Sequence, residues 1–511
     1  MNLSDLIERN AAFTPGKTAI IFDREALSYR TLHDRIEQAA RALKAEFGVN
    51  RGDRVAILSM NRPDYLVLLY ACARLGAMLV PLNWRLAVAE QIFILSDASV
   101  KVLMLEQAFA AIVPELAKQL PNTSLVGLDF VPPQGSAFDA LLVRARGDGR
   151  HPHIDLRCPL LIVYTSGTTG RPKGAVLRQE ALVWNAVMSQ HMHGLTSDDH
   201  VLTVLPFFHV GGLNIQTTPA LHFGATVTIL SRFTPEATFA VIRQHRPTLT
   251  VLVPAIIQAV TDHPDWPATD LSSLKAVSTG STIVPPHLIE RIVARGVPVL
   301  QVYGSTETCP VAIYTRLGGD LSRVGSTGLP GLCCEAAVID TDGHELPPDV
   351  PGEIVVRGPN VFFEYWGNAE ATREALHDGW YRTGDIGRRD AQGYFWVHDR
   401  KKNLIISGGE NIYPAEVERV LLEHPDVVEC GVIGRPDPKW DEVPVAYVIR
   451  RAGCSVEPED LKVHVLTQLA RFKVPREIVF VDDLPRTALG KVQHFMLRQM
   501  VEPAPAHGEA S

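Results

Sequence analysis

Short apolar runs of strand length alternate with amphipathic stretches of helix length through the first 400 residues. Residues 18–22 and 54–58 are two such runs, and the stretch between them places Leu32, Ile36 and Leu43 on one helical face. The further apolar runs are residues 101–105, 160–163, 225–230, 249–253, 274–277 and 297–302. Because strands that alternate with helices form largely parallel sheets covered by helical layers, the sequence predicts an α/β fold.

The pattern changes after about residue 325, where short runs bounded by glycine replace the alternation. Residues 352–358 and 393–398 are typical of an antiparallel β region. After Arg400 the runs predict a compact α+β segment, with a helix that begins at Pro414. The C-terminal part of the chain is therefore expected to be built differently from the N-terminal part.

The chain is too long for one hydrophobic core, so more than one domain is expected. We expect a large N-terminal domain over residues 1–400, made of stacked α/β layers with a small β-barrel-like subdomain. A hinge at residues 401–403 and a small α+β domain at residues 404–511 follow. The polar run Asp399–Asn403 is what a linker carries, and the alternative is one surface turn within a continuous domain.

Composition excludes several classes of protein. The formal net charge of −8 argues against a general nucleic-acid binder. Seven cysteines are scattered without a CxxC pair, which is typical of reduced thiols in the cytoplasm. Arg74 and Gly76 interrupt the most apolar segment, residues 65–82, so it predicts a buried helix and a strand rather than a membrane span. With no signal peptide at the start, we expect a cytoplasmic protein without an integral membrane segment.

A loop rich in phosphate-binding groups follows the apolar run 159–163. Over residues 164–174 it contains three glycines and two cations and no acidic residue. Glycines let backbone N–H groups approach closely, hydroxyls donate hydrogen bonds, and Lys173 adds a charge. It is not a Walker A loop, because no Gly-Lys-Ser/Thr follows at the required spacing. An ordinary basic turn is the alternative. The candidate ligands are Thr165, Ser166, Gly167, Thr168, Thr169, Gly170 and Lys173.

Six further blocks accompany this loop along nearly the whole chain: Leu205–His209, Tyr303–Glu307, Tyr381–Asp385, Asp399–Asn403, Ser407–Asn411 and Pro485–Lys491. In this order they resemble the signature blocks of the adenylate-forming superfamily, which includes acyl- and aryl-CoA ligases, adenylation domains and firefly-type luciferases. The resemblance implies an enzyme that uses ATP and Mg2+ to convert an acid to acyl-AMP, with CoA as the acceptor. Linkage to AMP gives a carboxylate a leaving group, and the charge that develops on phosphorus requires cations.

The resemblance also implies roles for residues around the nucleotide. Thr306 contacts the α-phosphate, and Glu307 holds Mg2+ together with Thr165. Asp385 accepts both ribose hydroxyls, since a carboxylate can take two hydrogen bonds side by side. Arg400 is a second contact to ribose or phosphate. The positions beside adenine are Gly280, Ser281, Tyr303, Gly304 and Ser305.

Lys491 is the catalytic lysine that the resemblance implies. It enters the site from the small domain and bridges the carboxylate of the acid and the α-phosphate during adenylation. In the second half-reaction the small domain swings about a hinge at Lys402 and exchanges Lys491 for the loop 407–411. An isolated lysine near a C-terminus is normally a solvated surface residue, so the role depends on the whole block 485–491.

The CoA side of the site is implied by two pairs of residues. Gly408 and Gly409 have no side chains, so a thin pantetheine arm can pass between them. Trp440 and Phe472 resemble aromatic positions that hold the CoA adenine. The alternative, with equal weight, is that both are exposed aromatics that cap a core.

The acid substrate is predicted from the segment that begins at Leu205. His209 resembles a histidine that lines the acyl site near the carboxylate, where imidazole suits hydrogen bonding and gating. A structural histidine is the alternative. Gly211 and Gly212 leave space for a long chain or a flat ring, and no arginine in this segment could pair with a second carboxylate. We therefore expect a monocarboxylic acid, with a fatty acid first and an aryl or phenylpropanoid acid second.

Three alternatives to a CoA ligase stay open at this point. The acceptor could be the pantetheine arm of a carrier protein, the enzyme could be a luciferase-like oxidase, or the chain could be an inactive nucleotide-binding protein. Intact Glu307, Asp385 and Lys491 speak against the last. The expected partners are a carboxylic acid, ATP and CoA, with a possible homodimer.

Overall fold

The computed structural model describes residues 1–165, 172–280, 284–323, 325–407, 410–438, 440–486 and 491–501. Its helices are α1 (Ser4–Phe13), α2 (Tyr29–Phe47), α3 (Pro63–Leu75), α4 (Val88–Asp97), α5 (Val113–Gln119), α6 (Phe138–Arg144), α7 (Gln179–His193), α8 (Val210–Asn214), α9 (Thr217–His222), α10 (Pro235–His245), α11 (Pro254–Thr261), α12 (Pro286–Val293), α13 (Ala369–Ala375), α14 (Pro414–Leu422), α15 (Pro458–Leu466) and α16 (His494–Val501).

The strands are β1 (Thr18–Phe22), β2 (Glu25–Ser28), β3 (Arg54–Leu58), β4 (Met78–Pro81), β5 (Val102–Leu105), β6 (Ser124–Gly127), β7 (Ser136–Ala137), β8 (Pro159–Thr165), β9 (Lys173–Arg178), β10 (His200–Thr203), β11 (Thr226–Ile229), β12 (Leu249–Val251), β13 (Ala276–Gly280), β14 (Val299–Tyr303), β15 (Ile313–Tyr314), β16 (Leu329–Pro330), β17 (Glu335–Ile339), β18 (Gly352–Arg357), β19 (Glu364–Tyr365), β20 (Leu376–His377), β21 (Trp380–Arg389), β22 (Phe395–Arg400), β23 (Ile405–Ser407), β24 (Glu410–Ile412), β25 (Val427–Asp437), β26 (Asp441–Arg450) and β27 (Glu477–Phe480).

The chain forms two compact units of unequal size. The larger unit contains residues 1–336 and 355–382, and the smaller contains residues 337–354 and 383–511. Strands β18 and β21 each begin in one unit and end in the other. The chain therefore has the predicted large and small parts, whereas the partition at residues 1–400, 401–403 and 404–511 stays a prediction.

Two large sheets dominate the larger unit. One has nine strands in the order β16-β15-β14-β13-β12-β10-β11-β1-β2, and the other has eight in the order β19-β9-β8-β4-β3-β5-β6-β7. In the nine-stranded sheet the inner pairs are parallel and the outer pairs are antiparallel. In the eight-stranded sheet the β8–β9 and β9–β19 pairs are antiparallel, and the other pairs are parallel. The prediction of an α/β fold with largely parallel sheets is confirmed.

Helix α2 shows how the sequence sets these elements. The Ser28 side chain accepts a hydrogen bond from the Thr31 backbone N–H, which caps the first turn. Gly48 ends the helix in the left-handed conformation with φ 59°, which glycine adopts without strain. Leu32 and Ile36 are buried, as the predicted apolar face requires.

The most apolar segment of the chain forms a buried helix and strand. Residues 64–75 of α3 are all buried, and β4 follows at Met78–Pro81 with all four residues buried. A helix that is apolar all round belongs in a protein core or a membrane. Within the described ranges, no helix has both the length and the apolar character needed to span a bilayer.

The smaller unit has its own sheet and core. Strands β24, β23, β26 and β25 lie in that order, and β27 pairs in parallel with β26. The buried side chains of α14 and α15 pack with this sheet in one apolar cluster. The predicted α+β segment is thereby confirmed.

A further five-stranded sheet is formed by β17, β18, β21, β20 and β22. The two predicted glycine-bounded runs are β18 and β22 of this sheet.

Candidate active site

Two antiparallel strands frame the predicted phosphate loop. Strand β8 ends at Thr165 and β9 begins at Lys173, and these two residues are paired across the ladder. The Thr165 hydroxyl donates to the Lys173 carbonyl, with 3.4 Å between Oγ1 and O. The strand expected before the loop is present. Five other predicted ligands lie outside the described residues, namely Ser166, Gly167, Thr168, Thr169 and Gly170.

A buried carboxylate lies just beyond the carboxyl end of β14. Thr306 and Glu307 are each 7% exposed. Oε1 of Glu307 accepts a hydrogen bond of 2.8 Å from the Tyr365 hydroxyl, and its backbone carbonyl accepts one of 2.7 Å from the Phe362 N–H. The centroid of the Tyr365 ring is 5.5 Å from Nζ of Lys173. Tyr365 therefore brings the β9 lysine and the β14 carboxylate into one cluster.

Sequence reasoning missed Tyr365. It lies 58 residues from Glu307 and belongs to no motif. It is positioned because β19 adds to the edge of the eight-stranded sheet, where Tyr365 pairs with Ala175 of β9. A two-residue edge strand leaves almost no periodicity in a sequence, so no local pattern indicated it.

The predicted adenine-side residues gather at the ends of two neighbouring strands. Gly280 of β13 lies opposite Val302 of β14, and Tyr303, Gly304 and Ser305 follow directly. A Cβ on Gly280 would lie 2.1 Å from the Val302 carbonyl oxygen. At Gly304 the distance to the Pro310 carbonyl oxygen would be 1.7 Å, so packing alone already requires glycine at both positions. Ser281 lies outside the described residues.

His209 stands at the start of α8 within an aromatic cluster. Its ring centroid is 5.8 Å from that of Phe208, and Phe208 meets Trp84 edge-on at 6.3 Å. Burial of the imidazole, with a smaller effect from the charge of Arg85, lowers the pKa of His209 to about 4. The imidazole is therefore neutral at pH 7. Arg85 was not found from the sequence because it comes from a segment far from residue 209.

The two glycines after His209 differ in the space they leave. A Cβ on Gly211 would meet Ile215 and Leu205 at 3.9 Å, which is ordinary contact. A Cβ on Gly212 would lie 2.4 Å from the Pro206 carbonyl oxygen. The expectation that both glycines leave space is therefore wrong for Gly212, because backbone fills its surroundings. Of this pair, Gly211 alone would accept a Cβ without a clash.

In the smaller unit, Asp385 and Arg400 face each other on β21 and β22. They are paired in the antiparallel ladder, and Nε of Arg400 lies 2.6 Å from Oδ1 of Asp385. The Asp385 backbone N–H donates to Oγ1 of Thr383 at 3.1 Å. The Asp385 side chain is 8% exposed, whereas the Arg400 side chain is 39% exposed, so the carboxylate is shielded from water and the guanidinium is not. The structure brings together these two predicted ribose contacts.

Two predicted lysines belong to the same charge cluster in this unit. Burial, followed by the positive charge of Arg400, lowers the pKa of Lys402, and the negative charge of Asp385 acts to raise it. Burial and then Arg400 also lower the pKa of Lys491, against Asp385, Asp399 and Glu418. Both lysines therefore lie within electrostatic reach of the Asp385–Arg400 pair.

The predicted CoA-side residues are only partly described. Trp440 and Phe472 are 43% and 41% exposed. Nζ of Lys473 lies 5.8 Å from the Phe472 ring centroid. Gly408 and Gly409 lie outside the described residues. Both aromatic side chains are thus accessible to a ligand.

Comparison with known proteins identifies the class to which this fold and site belong. Residues 7–366 match the family model of the AMP-binding enzymes, and residues 416–491 match that of the AMP-binding enzyme C-terminal domain. The chain therefore belongs to the AMP-binding enzyme family. This confirms the resemblance to the adenylate-forming superfamily.

Similar proteins cover the whole chain. The chain is 50% identical over 504 residues to an indoleacetate–CoA ligase of Aromatoleum aromaticum, with 98% of each chain covered. It is 40% identical over 488 residues to a feruloyl-CoA synthase of Amycolatopsis sp, with 95% of this chain and 96% of that one covered. A solved anthranilate CoA ligase in complex with anthranoyl-AMP superposes with a TM-score of 0.91 at 27% identity, covering 98% of this chain and 97% of that one.

Proposed function

We propose that this chain is an AMP-forming CoA ligase for an aryl or arylacetic monocarboxylic acid. In the first half-reaction a carboxylate oxygen attacks the α-phosphorus of ATP, the bond to the β-phosphate breaks, and pyrophosphate leaves. In the second, the CoA thiolate attacks the acyl carbon of the acyl-AMP, and AMP leaves. Similarity to an indoleacetate–CoA ligase over 98% of both chains is the observation that carries the proposal.

Residues of the larger unit hold the phosphate groups in this proposal. The loop after β8 supplies hydroxyl and N–H donors, and Lys173 adds a positive charge at the start of β9. The Thr306 hydroxyl donates to the α-phosphate. Donors fixed in advance stabilise the negative charge that develops on the phosphorus oxygens, and this lowers the barrier to adenylation.

Glu307 and Thr165 are suitable ligands for Mg2+. Carboxylate and hydroxyl oxygens are the hard donors that this ion prefers. Tyr365 occupies Oε1 of Glu307, and no hydrogen bond or ion pair to Oε2 is formed within the described part of the chain. When bound, Mg2+ would neutralise charge on the phosphates. Tyr365 fixes the direction in which the carboxylate points.

Residues of the smaller unit hold the ribose and the reacting carboxylate. Arg400 engages Oδ1 of Asp385, and a carboxylate has lone pairs to spare for ribose hydroxyls. Lys491 bridges the acid and the α-phosphate during adenylation. The charge cluster around Asp385 supports this role, because it gathers three cations where a nucleotide is expected.

Thioester formation uses a second arrangement of the C-terminal domain. We place the hinge at residues 401–403, with Lys402 as its centre, and the mobile domain at residues 404–511. The loop that contains Gly408 and Gly409 then replaces Lys491 beside the acyl-AMP. The exposed Trp440 is available to stack on the CoA adenine.

An aromatic acid fits the surroundings of His209 better than the fatty acid that the sequence ranked first. The similar proteins act on indoleacetate and form feruloyl-CoA, both of which contain aromatic rings. Phe208 packs against His209, and Trp84 meets Phe208 edge-on. Gly211, two residues further along, has no side chain, and a Cβ there would make only ordinary contacts. A neutral His209 can donate a hydrogen bond to the substrate carboxylate.

A substrate panel tests the proposal. The protein is incubated with ATP, Mg2+ and CoA and with indoleacetic, ferulic, anthranilic, benzoic and long-chain fatty acids, and AMP and acyl-CoA are measured. We expect thioester formation with aryl or arylacetic acids. Preference for the fatty acids would contradict the proposed acid. Acyl transfer only to a carrier protein, and not to CoA, would show that the acceptor is the carrier protein. A cytoplasmic location and a homodimer stay predictions.

A further inference from the structure

A buried ion pair lies three residues beyond Lys491. Helix α16 begins at His494, whose Nε2 is 2.6 Å from Oε1 of Glu418 on α14. The two side chains are 13% and 16% exposed. Oε1 of Glu418 also accepts a 2.7 Å hydrogen bond from the Val432 N–H of β25. Glu418 thus fixes the start of α16 to the body of the smaller unit.

Other contacts hold the same segment from either side. Val492 forms an isolated bridge with Arg486, and the Gln493 N–H donates to the Pro485 carbonyl at 2.8 Å. Leu497 is 1% exposed and packs with Ile433 of β25. Because each residue from 492 to 494 is tied down, the backbone at Lys491 inherits its position from these contacts.

We propose that His494 is a positioning residue for Lys491, which it holds in place for adenylation through its charged contact with Glu418. The proposal rests on the function proposed for Lys491. The protonated imidazole adds a positive charge opposite the Glu418 carboxylate, so it holds the start of α16 more firmly than the neutral ring.

The groups around the imidazole set the pH range of this contact. Burial and the positive charge of Lys491 act to lower the pKa of His494. The charge and hydrogen bond of Glu418 and the charge of Asp399 on β22 act in the opposite direction, and their larger effect leaves the pKa of His494 raised. The thiol of Cys430 on β25 donates to the Glu418 carbonyl, and burial raises its pKa, so it stays neutral. His494 therefore keeps its charge to a higher pH than an ordinary histidine and loses it as the pH rises through its raised pKa.

Two substitutions separate positioning from folding. His494→Leu removes the contact, and we expect acid-dependent ATP–pyrophosphate exchange to fall about 10- to 100-fold. Thioester formation from supplied acyl-AMP should stay within about twofold, because it does not use Lys491. His494→Arg keeps a permanent cation opposite Glu418. It should restore exchange and shift to higher pH the alkaline decline that we expect of the wild-type enzyme.

His464 is the matched control. It also contacts α14, with Nε2 2.9 Å from the Val420 carbonyl, but it belongs to α15 and has no part in the Lys491 segment. His464→Leu should change both half-reactions equally or not at all.

The outcomes that would overturn the proposal are distinct from failure of the proposed function. Equal loss of both half-reactions in His494→Leu, or an unchanged alkaline limb in His494→Arg, would reject positioning by His494. If His494→Leu does not fold, the pH profile of His494→Arg decides alone. If Lys491→Ala adenylates normally, the proposed role of Lys491 fails as well.

Discussion

The hydroxyl of Tyr365 offers the sharpest test of the site in the larger unit. Tyr365→Phe deletes one atom and leaves the ring. The ring is held separately, because its centroid lies 4.7 Å from that of Phe362 and 5.5 Å from Nζ of Lys173. The backbone N–H of residue 365 keeps its 2.9 Å hydrogen bond to Oγ1 of Thr372. The substitution therefore removes the hydroxyl contact to Glu307 and keeps these ring and backbone contacts.

The size of the effect follows from the burial of Glu307. Its carboxylate is 7% exposed and accepts the hydroxyl at 2.8 Å, so water replaces the lost hydrogen bond poorly. A hydrogen bond to a charged group contributes about 1.5–3 kcal/mol, and about 1.4 kcal/mol is tenfold in rate. Because the carboxylate loses its fixed direction, kcat/KM for adenylation should fall about 10- to 100-fold.

The assay is acid-dependent ATP–pyrophosphate exchange at several Mg2+ concentrations. Tyr314→Phe is the matched control, since it also deletes one hydroxyl of the larger unit, one that lies 2.9 Å from Nδ1 of His191. The control should lower stability at most. Exchange by Tyr365→Phe within twofold of the wild type would refute the argument that this hydroxyl orients Glu307.

Three further predictions address other parts of the chain. Lys491→Ala should abolish pyrophosphate exchange yet leave thioester formation from supplied acyl-AMP largely intact. Gly211→Ala should fold and shift turnover toward smaller acids, because its Cβ would make only ordinary contacts, whereas Gly212→Ala should lower the melting temperature, because its Cβ would lie 2.4 Å from a backbone oxygen. Burial lowers the pKa of His222 to about 3, so stability should fall as the pH drops below about 6.5, by up to about 5 kcal/mol for this group once the pH reaches the lowered pKa. His222→Phe should flatten that decline in thermal melts, and an unchanged acid slope would contradict it.

The parts of the fold with a strong local pattern were predictable from the sequence. The buried α3–β4 segment and the apolar face of α2 follow from hydrophobic periodicity. The edge strands β2, β7, β16 and β19 were not predicted. Each has two to four residues, and tertiary pairing rather than propensity creates such strands. The site shows the same division, because motifs predicted Glu307 and Asp385, whereas the partner Tyr365 comes from an edge strand.

The Glu307 cluster of the larger unit and the Asp385 cluster of the smaller unit are stabilised by different interactions. In the larger unit, the neutral hydroxyl of Tyr365 donates to the Glu307 carboxylate and brings no charge of its own. In the smaller unit, Arg400, Lys402 and Lys491 crowd around Asp385, and burial together with Arg400 lowers the pKa of both lysines. Cations placed together in a buried site destabilise one another until an anion arrives. If Lys491 acts as we propose, a bound phosphate would remove that repulsion, so Lys491 would be charged most readily when the nucleotide is present.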